Sequence, residues 1–244
     1  MIFFLNELKQ LIHFHFIEKY PLLYHFRNHK KAIYRALSVK KDTQIAIQGY
    51  PRSANTFATV AFEYAQAGPV KIAHHLHSPN QVIRAVKWGI PTLVLIRDPI
   101  DAIASYLIRE NFEVNTRFAI QRYIHFYQTV WPYRDGFIIG HFDDVTNHYE
   151  GIILRINKKF GTHFLPFLST KDNKNSVFER IDAINKRQGD LNFIDSVARP
   201  DHERGLKKKY VTETIKADAE NRKILTKAEV IFHDFIKCAE SFIP

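Results

Sequence analysis

Several residue types are scarce in this chain. Among 244 residues there is one cysteine, one methionine and two tryptophans. Cys238 alone cannot close an intramolecular disulfide, which excludes a disulfide-stapled fold and favours a reducing compartment. Internal repeats and low-complexity segments are absent, so a solenoid is excluded. HExxH, CxxC and serine-elbow motifs are absent too, which removes the commonest metalloprotease, thiol-redox and serine-hydrolase readings. No stretch reaches the roughly 20 apolar residues that a membrane span needs. The aromatic start, MIFFLNELKQLIHFHFIEKYPLLYHF, is broken by Glu7, Lys9, His13, His15, Glu18 and Lys19. It has no basic region followed by a small-residue cleavage site, so a secretory signal is not expected.

Acidic residues are the other shortage. Against 35 Lys and Arg stand 25 Asp and Glu, a formal net charge of +10. That balance suits nucleic acid, an anionic membrane or a polyanionic small molecule, although most basic residues simply solvate a surface. The basic residues are not gathered in a nucleic-acid reader motif, so no nucleic-acid partner is expected. With 45% hydrophobic and 14% aromatic residues, the chain reads as one globular domain over residues 1–244. Residues 1–40 form a helical N-terminal extension, divided near Pro21 and basic from Arg27 to Lys31. Docking of this extension onto the domain is expected ahead of peripheral membrane contact, in a cytoplasmic protein.

From residue 43 onward strands alternate with helices. Thr43–Gln48 is short, apolar and β-branched, a buried strand; Gly49 and Pro51 break it. From Asn55, Phe57, Val60, Ala61 and Tyr64 recur at helical spacing. Val70–His75 reads as a second strand and 79–88 as a helix. Thr92–Arg97 (TLVLIR) is a continuous apolar run, as in a strand covered on both faces of a parallel sheet. Asp98-Pro99 then opens a helix. A long aromatic helix over Thr116–Tyr133, a strand over Gly136–Phe142 and a helix over Val145–Phe160 follow. Residues 161–175 read as irregular, Val177–Arg187 as helix, 188–212 as loop, and the last helix runs from Glu213 or Asp218 to Phe242. This order implies an α/β fold: a mostly parallel central sheet flanked by helices.

Strand, tight loop and helix at 43–57 point backbone N–H groups and a positive helix end at an anion. Set against G-x-x-x-x-G-K-[ST], residues Gly49 to Thr56 fall in register, with Ala54 for the second glycine and Asn55 for the lysine. Loss of that lysine removes the cation for a nucleoside triphosphate, while Arg52 adds one inside the loop. The second unit repeats the plan. Arg97 ends the TLVLI strand, where open α/β sheets bind ligands, and Ser105 lies eight residues on. The competing role for Arg97 is an ion pair with Asp98, Asp101 or an acid on a neighbouring strand.

These residues carry a resemblance. GYPRSANTF is similar to the 5′-phosphosulfate loop of the sulfotransferases, usually written YPKSGTTW. LIRDPIDAIASY resembles their 3′-phosphate motif, R-x-P-x-D-x-x-x-S-Y, with Arg97, Pro99, Asp101, Ser105 and Tyr106 in register. The two motifs stand in the right order, and similarity covers roughly residues 43–110. A weaker match, VARPDHERGLKKK at 197–209, looks like the basic loop that closes over the nucleotide.

The resemblance implies a P-loop NTPase-like α/β fold, 3′-phosphoadenosine 5′-phosphosulfate (PAPS) as sulfuryl donor, a hydroxyl or amine acceptor and no metal. It puts Arg52 at the bridging oxygen and leaving phosphate. Ser53, Asn55 and Thr56, with the amides around Ala54, would hold the 5′-phosphate. Arg97 and Ser105 would hold the 3′-phosphate, Phe57 would lie beside the adenine, and Arg204, Gly205 and Lys207 would close over it. Alanine at position 54 implies a less extreme backbone there than the family's glycine adopts. His75 of Ala73-His74-His75-Leu76 takes the place of the catalytic base, with His77 next in line. As a strand pair, His75 and His77 would share a face, and zinc binding is the other reading, without a third ligand at recognisable spacing. The aromatic helix is expected to be core, and Asp143 with Asp144 either a helix cap or part of an acceptor site. A small molecule, a glycan or a lipid would serve as acceptor. The alternatives are a nucleotide or small-molecule kinase with a degenerate loop, or an inactive nucleotide-binding scaffold.

Overall fold

A computed structural model describes residues 31–187 and 202–241. The expected helices over residues 1–30, the loop from 188 to 201 and the first residues of the 197–209 match lie outside the described residues.

Four parallel strands form the sheet: β1 Ile45–Gly49, β2 Ile72–His74, β3 Thr92–Ile96 and β4 Ile138–His141, in the order β2-β1-β3-β4. Every residue of β1 and β3 is buried. Alternate side chains go to opposite faces: Leu93 and Leu95 join one core cluster, Val94 and Ile96 the other. That is why TLVLI reads as an unbroken apolar run. On the Leu93 side lie α2 Asn55–Ala65, α6 Phe142–Asn147, α7 Tyr149–Phe160 and α8 Lys171–Arg187. On the other side lie α3 Pro79–Lys87, α4 Pro99–Arg109, α5 Thr116–Val130, α9 His202–Ala217 and α10 Ala219–Ser241. A short helix, α1 Ala32–Leu37, precedes the sheet and packs near β2. Among the described residues no helix is long and apolar enough to cross a membrane.

Strand order reverses between β1 and β3, because the chain passes from β1 out to β2 and back beyond β1 to β3. Loops leaving the carboxyl ends of these two neighbours therefore open side by side, the usual place for a ligand in an open α/β sheet. Gly49 permits this closeness. A Cβ there would meet Leu95 O at 2.6 Å and Leu95 Cβ at 2.9 Å, so only glycine fits the end of β1.

Several element boundaries differ from the sequence reading, each for a physical reason. The aromatic helix stops at Val130, and Trp131–Gly136 tightens into a 3₁₀ turn because Pro132 has no N–H to continue the α ladder. That turn delays β4 to Ile138. The helix expected from Val145 is two helices broken at His148, and the second is capped from a distance: Tyr149 N–H donates to Ser169 Oγ (3.1 Å). Helix α8 starts at Lys171 instead of 177, where Asn173 N–H donates to Thr170 Oγ1 (3.3 Å). Residues 202–212 are helix rather than loop. Val211 and Ile215, one turn apart, are buried against the core, and that packing outweighs the weak local propensity of His202–Lys209. The last helix begins after Asp218, whose carboxylate accepts from Asn221 N–H (2.8 Å).

Candidate anion and histidine site

The loop 50–54 leaves β1 with two residues in the left-handed region, Arg52 and Ala54, each at φ 67°. This corrects the expectation of an ordinary backbone at Ala54: the glycine-like conformation is kept without the glycine, at a cost of about 1 kcal/mol or more. Ala54 is the N-cap of α2 and offers no side-chain cap, so the first-turn N–H groups of Asn55, Thr56 and Phe57 face the loop without side-chain capping. Ser53 Oγ is buried beside the Tyr127 hydroxyl but in a geometry that makes no hydrogen bond.

Asn55 behaves differently from the sequence expectation. Its amide nitrogen donates to Tyr50 O (2.9 Å), so the side chain braces the loop. Its remaining contribution to an anion is its backbone N–H. Phe57 is also reassigned. It is buried in the core, edge-on to Phe167 and tilted against Phe178, not standing at the mouth as a face for a base.

The β3 unit meets this loop directly. Arg52 Nε donates to Ser105 Oγ (3.0 Å), and Arg97 Nη1 donates to Arg52 O (3.1 Å). Residues 53 and 45 positions apart are thereby joined. Asp101 Oδ2 lies 3.6 Å from Arg97 Nη2, so the competing ion pair is present as well. Asp98 instead caps α4, accepting from Asp101 N–H (3.0 Å). Arg97 stacks on Phe142 (4.0 Å to the centroid) and keeps a buried Nε without a partner.

Helix α9 brings more positive charge. Lys208 Nζ donates to Asp101 Oδ1 (2.6 Å), and Arg204 lies close enough to depress the pKa of both Arg52 and Arg97. Arg204 and Lys208 share the half-buried face of the helix, whereas Gly205 and Lys207 are exposed. Lys208 is therefore a residue that the sequence reading missed, one position from its choice. Burial, then Arg204, Arg109 and Arg97, push the Arg52 guanidinium down to about 9, while Glu110 acts weakly the other way. It stays charged at neutral pH, held among like charges that an anion would relieve.

The segment after β2 contributes three histidines. His75 and His77 both have positive φ (57° and 47°), so they belong to a turn and not to a strand face. His75 Nε2 is 2.9 Å from Thr56 Oγ1, and its Nδ1 shares a hydrogen bond with His74 Nδ1. His77 Nδ1–H donates to Gly49 O (2.8 Å). Burial lowers His74 to about 4 and His77 to about 3; it lowers His75 well below the ordinary range, helped by His74, His77 and Arg109. All three are neutral near pH 7. Among the described residues, no group of three or more histidine, cysteine or acidic side chains is placed to hold a metal ion.

The aromatic helix fastens the two loops from below. Tyr127 OH donates to Leu95 O (2.8 Å) and accepts from Tyr50 N–H (3.4 Å); Tyr123 OH donates to Arg97 O (2.8 Å). Tyr50 OH donates in turn to Ala119 O (3.1 Å). The sequence signals core here, and the rings are core, but buried tyrosines need hydroxyl partners, and these find the two loop ends. Asp143 and Asp144 lie in the first turn of α6. No protein-family model matches the chain, and no curated protein matches it.

Proposed function

We propose that the protein is a PAPS-dependent sulfotransferase with the β1 and β3 loops as its donor site. The observation that carries this reading is the junction of Arg52, Ser105 and Arg97, two motifs distant in sequence meeting at one cationic point. The donor atoms fit a doubly phosphorylated ligand. Ser53 Oγ, the first-turn amides of α2 and Arg52 suit the 5′ end. Ser105 accepts from Arg52 and so has its own proton free to donate; with Arg97 Nε it suits the 3′-phosphate. Asn55 and Phe57 take no side-chain part.

PAPS would supply an activated sulfuryl group to an acceptor oxygen or nitrogen. The chain's own residues then have defined tasks. Arg52 neutralises charge on the leaving phosphate, as positioned cations do in phosphoryl transfer, where positioning and charge stabilisation carry most of the rate. His75 is the base. With His75 Nδ1–H donating to His74 Nδ1, the Nε2 lone pair accepts from the Thr56 hydroxyl. An acceptor hydroxyl replaces Thr56 there and yields its proton to Nε2, and Thr56 turns to the donor loop. His77 is better suited as a strut under Gly49 O.

Calorimetry with 3′-phosphoadenosine 5′-phosphate (PAP) and with ADP tests the donor assignment. PAP is expected to bind at least about 100-fold more tightly, because two charge-assisted contacts to the 3′-phosphate are worth about 1.5–3 kcal/mol each. Equal affinities would overturn it, and magnesium-dependent ATP turnover would favour a kinase.

A further inference from the structure

Asp101, Ser105 and Arg109 recur every fourth residue on α4 and form one stripe. Asp101 holds Arg97 and Lys208, and Ser105 holds Arg52. Arg109 continues the stripe one turn beyond Ser105, about 6 Å along the axis. Its side chain is 43% exposed, and Nη1 contacts Glu110 Oε1 at 3.2 Å, a pair at the surface that solvent screens. The neighbouring guanidinium of Arg122 donates to Tyr106 OH (2.7 Å) and also acts on His77. Arg109 also acts inward: its charge depresses Arg52, His75 and His77 together, so it stands near both the donor loop and the base. Just after α4 the chain turns through Asn111 (φ 48°) and Phe112 (φ 59°). A bulky residue in the left-handed region is strained, and Phe112 is 57% exposed.

We propose that Arg109 binds an anionic group on the acceptor, so that the substrate class is hydroxyl compounds carrying a carboxylate or similar anion beside an apolar or aromatic body that meets Phe112. The proposal rests on the sulfuryl-transfer reading above. The physical need is plain. An acidic acceptor approaching a polyanionic donor is repelled, and a cation placed between them offsets that repulsion. The acceptor's anion displaces Glu110 from Arg109, and its hydroxyl then lies toward His75.

The test uses the full chain saturated with PAP, titrated at low ionic strength with 4-hydroxyphenylacetate and with 4-hydroxyphenylacetamide, which differ in charge and little in shape. The acid is expected to bind about 10-fold or more tightly, the value of one charge-assisted hydrogen bond. In Arg109→Gln that preference falls to about onefold, and Arg109→Lys restores part of it. PAP affinity, measured first in each variant, reports folding and the donor site. If wild type fails to bind PAP, the transferase reading and this proposal both fall. If PAP binds and the acid and amide bind alike or not at all, or if Arg109→Gln keeps the preference, the acceptor assignment falls alone.

Discussion

Arg52 separates a binding role from a structural one. Arg52 is buried among Arg97, Arg109 and Arg204, and its pKa is lowered to about 9. Arg52→Ala is therefore expected to leave the melting temperature without ligand unchanged or higher while weakening PAP at least about 100-fold. A drop of more than about 1 kcal/mol in denaturant melts would mark it as structural instead. Ala54 offers a second test. Glycine at φ 67° escapes a strain of about 1–2 kcal/mol but adds about 0.5–1 kcal/mol of chain entropy to lose. Ala54→Gly should leave stability unchanged or raise it by up to about 1 kcal/mol; a clear loss would show that the left-handed turn is not strained.

At the scale of elements, α5 holds the two loops in register by its tyrosine hydroxyls. Tyr127→Phe removes the partner of Leu95 O and of Tyr50 N–H without changing the packing volume. Leaving buried backbone groups unpaired should cost about 1–3 kcal/mol. It should also weaken PAP more than Tyr64→Phe, a change at a hydroxyl 3.5 Å from Asn173 on the opposite face of the sheet. Equal effects of the two on PAP would argue that α5 does not position the loop. The bridge from Lys208 to Asp101 is half-exposed, so it orients α9 more than it stabilises the domain.

For the whole molecule, the histidine turn sets the acid limit of stability. Unfolded histidines take up a proton near 6.5, whereas His74 and His77 fold with values of about 4 and about 3, and His75 is also depressed. The unfolded chain thus binds more protons below 6.5. Stability is complete above that pH and is lost progressively as pH falls toward 3, by about 1.4 kcal/mol per pH unit for each proton taken up on unfolding. Chemical melts between pH 7 and 4.5 should show this slope. His77→Asn keeps a donor for Gly49 O, tolerates φ 47° and removes one titration, so its slope should be shallower by about one proton. An unchanged slope would exclude His77 from the acid transition.

Apolar runs, Gly49, Pro51 and Pro99 are local signals, and they suffice for the α/β alternation, the parallel sheet and the two strand-loop-helix units. Local patterns also marked Arg52, Arg97 and Ser105, and their meeting comes from the packing of the two units. Other features depend on contacts across the chain. Helix α9 is made by burial of Val211 and Ile215, which no window of His202–Lys209 reveals. Whether Lys207 or Lys208 faces Asp101 depends on helical phase, and that phase comes from packing. The Asn55 amide reaches a loop carbonyl and the Phe57 ring packs in the aromatic core, placements that depend on the fold. The left-handed turns at Ala54, His75 and His77 lie beyond a propensity reading too. Non-glycine residues rarely adopt that conformation by themselves, and it persists only where the surrounding structure over-determines it.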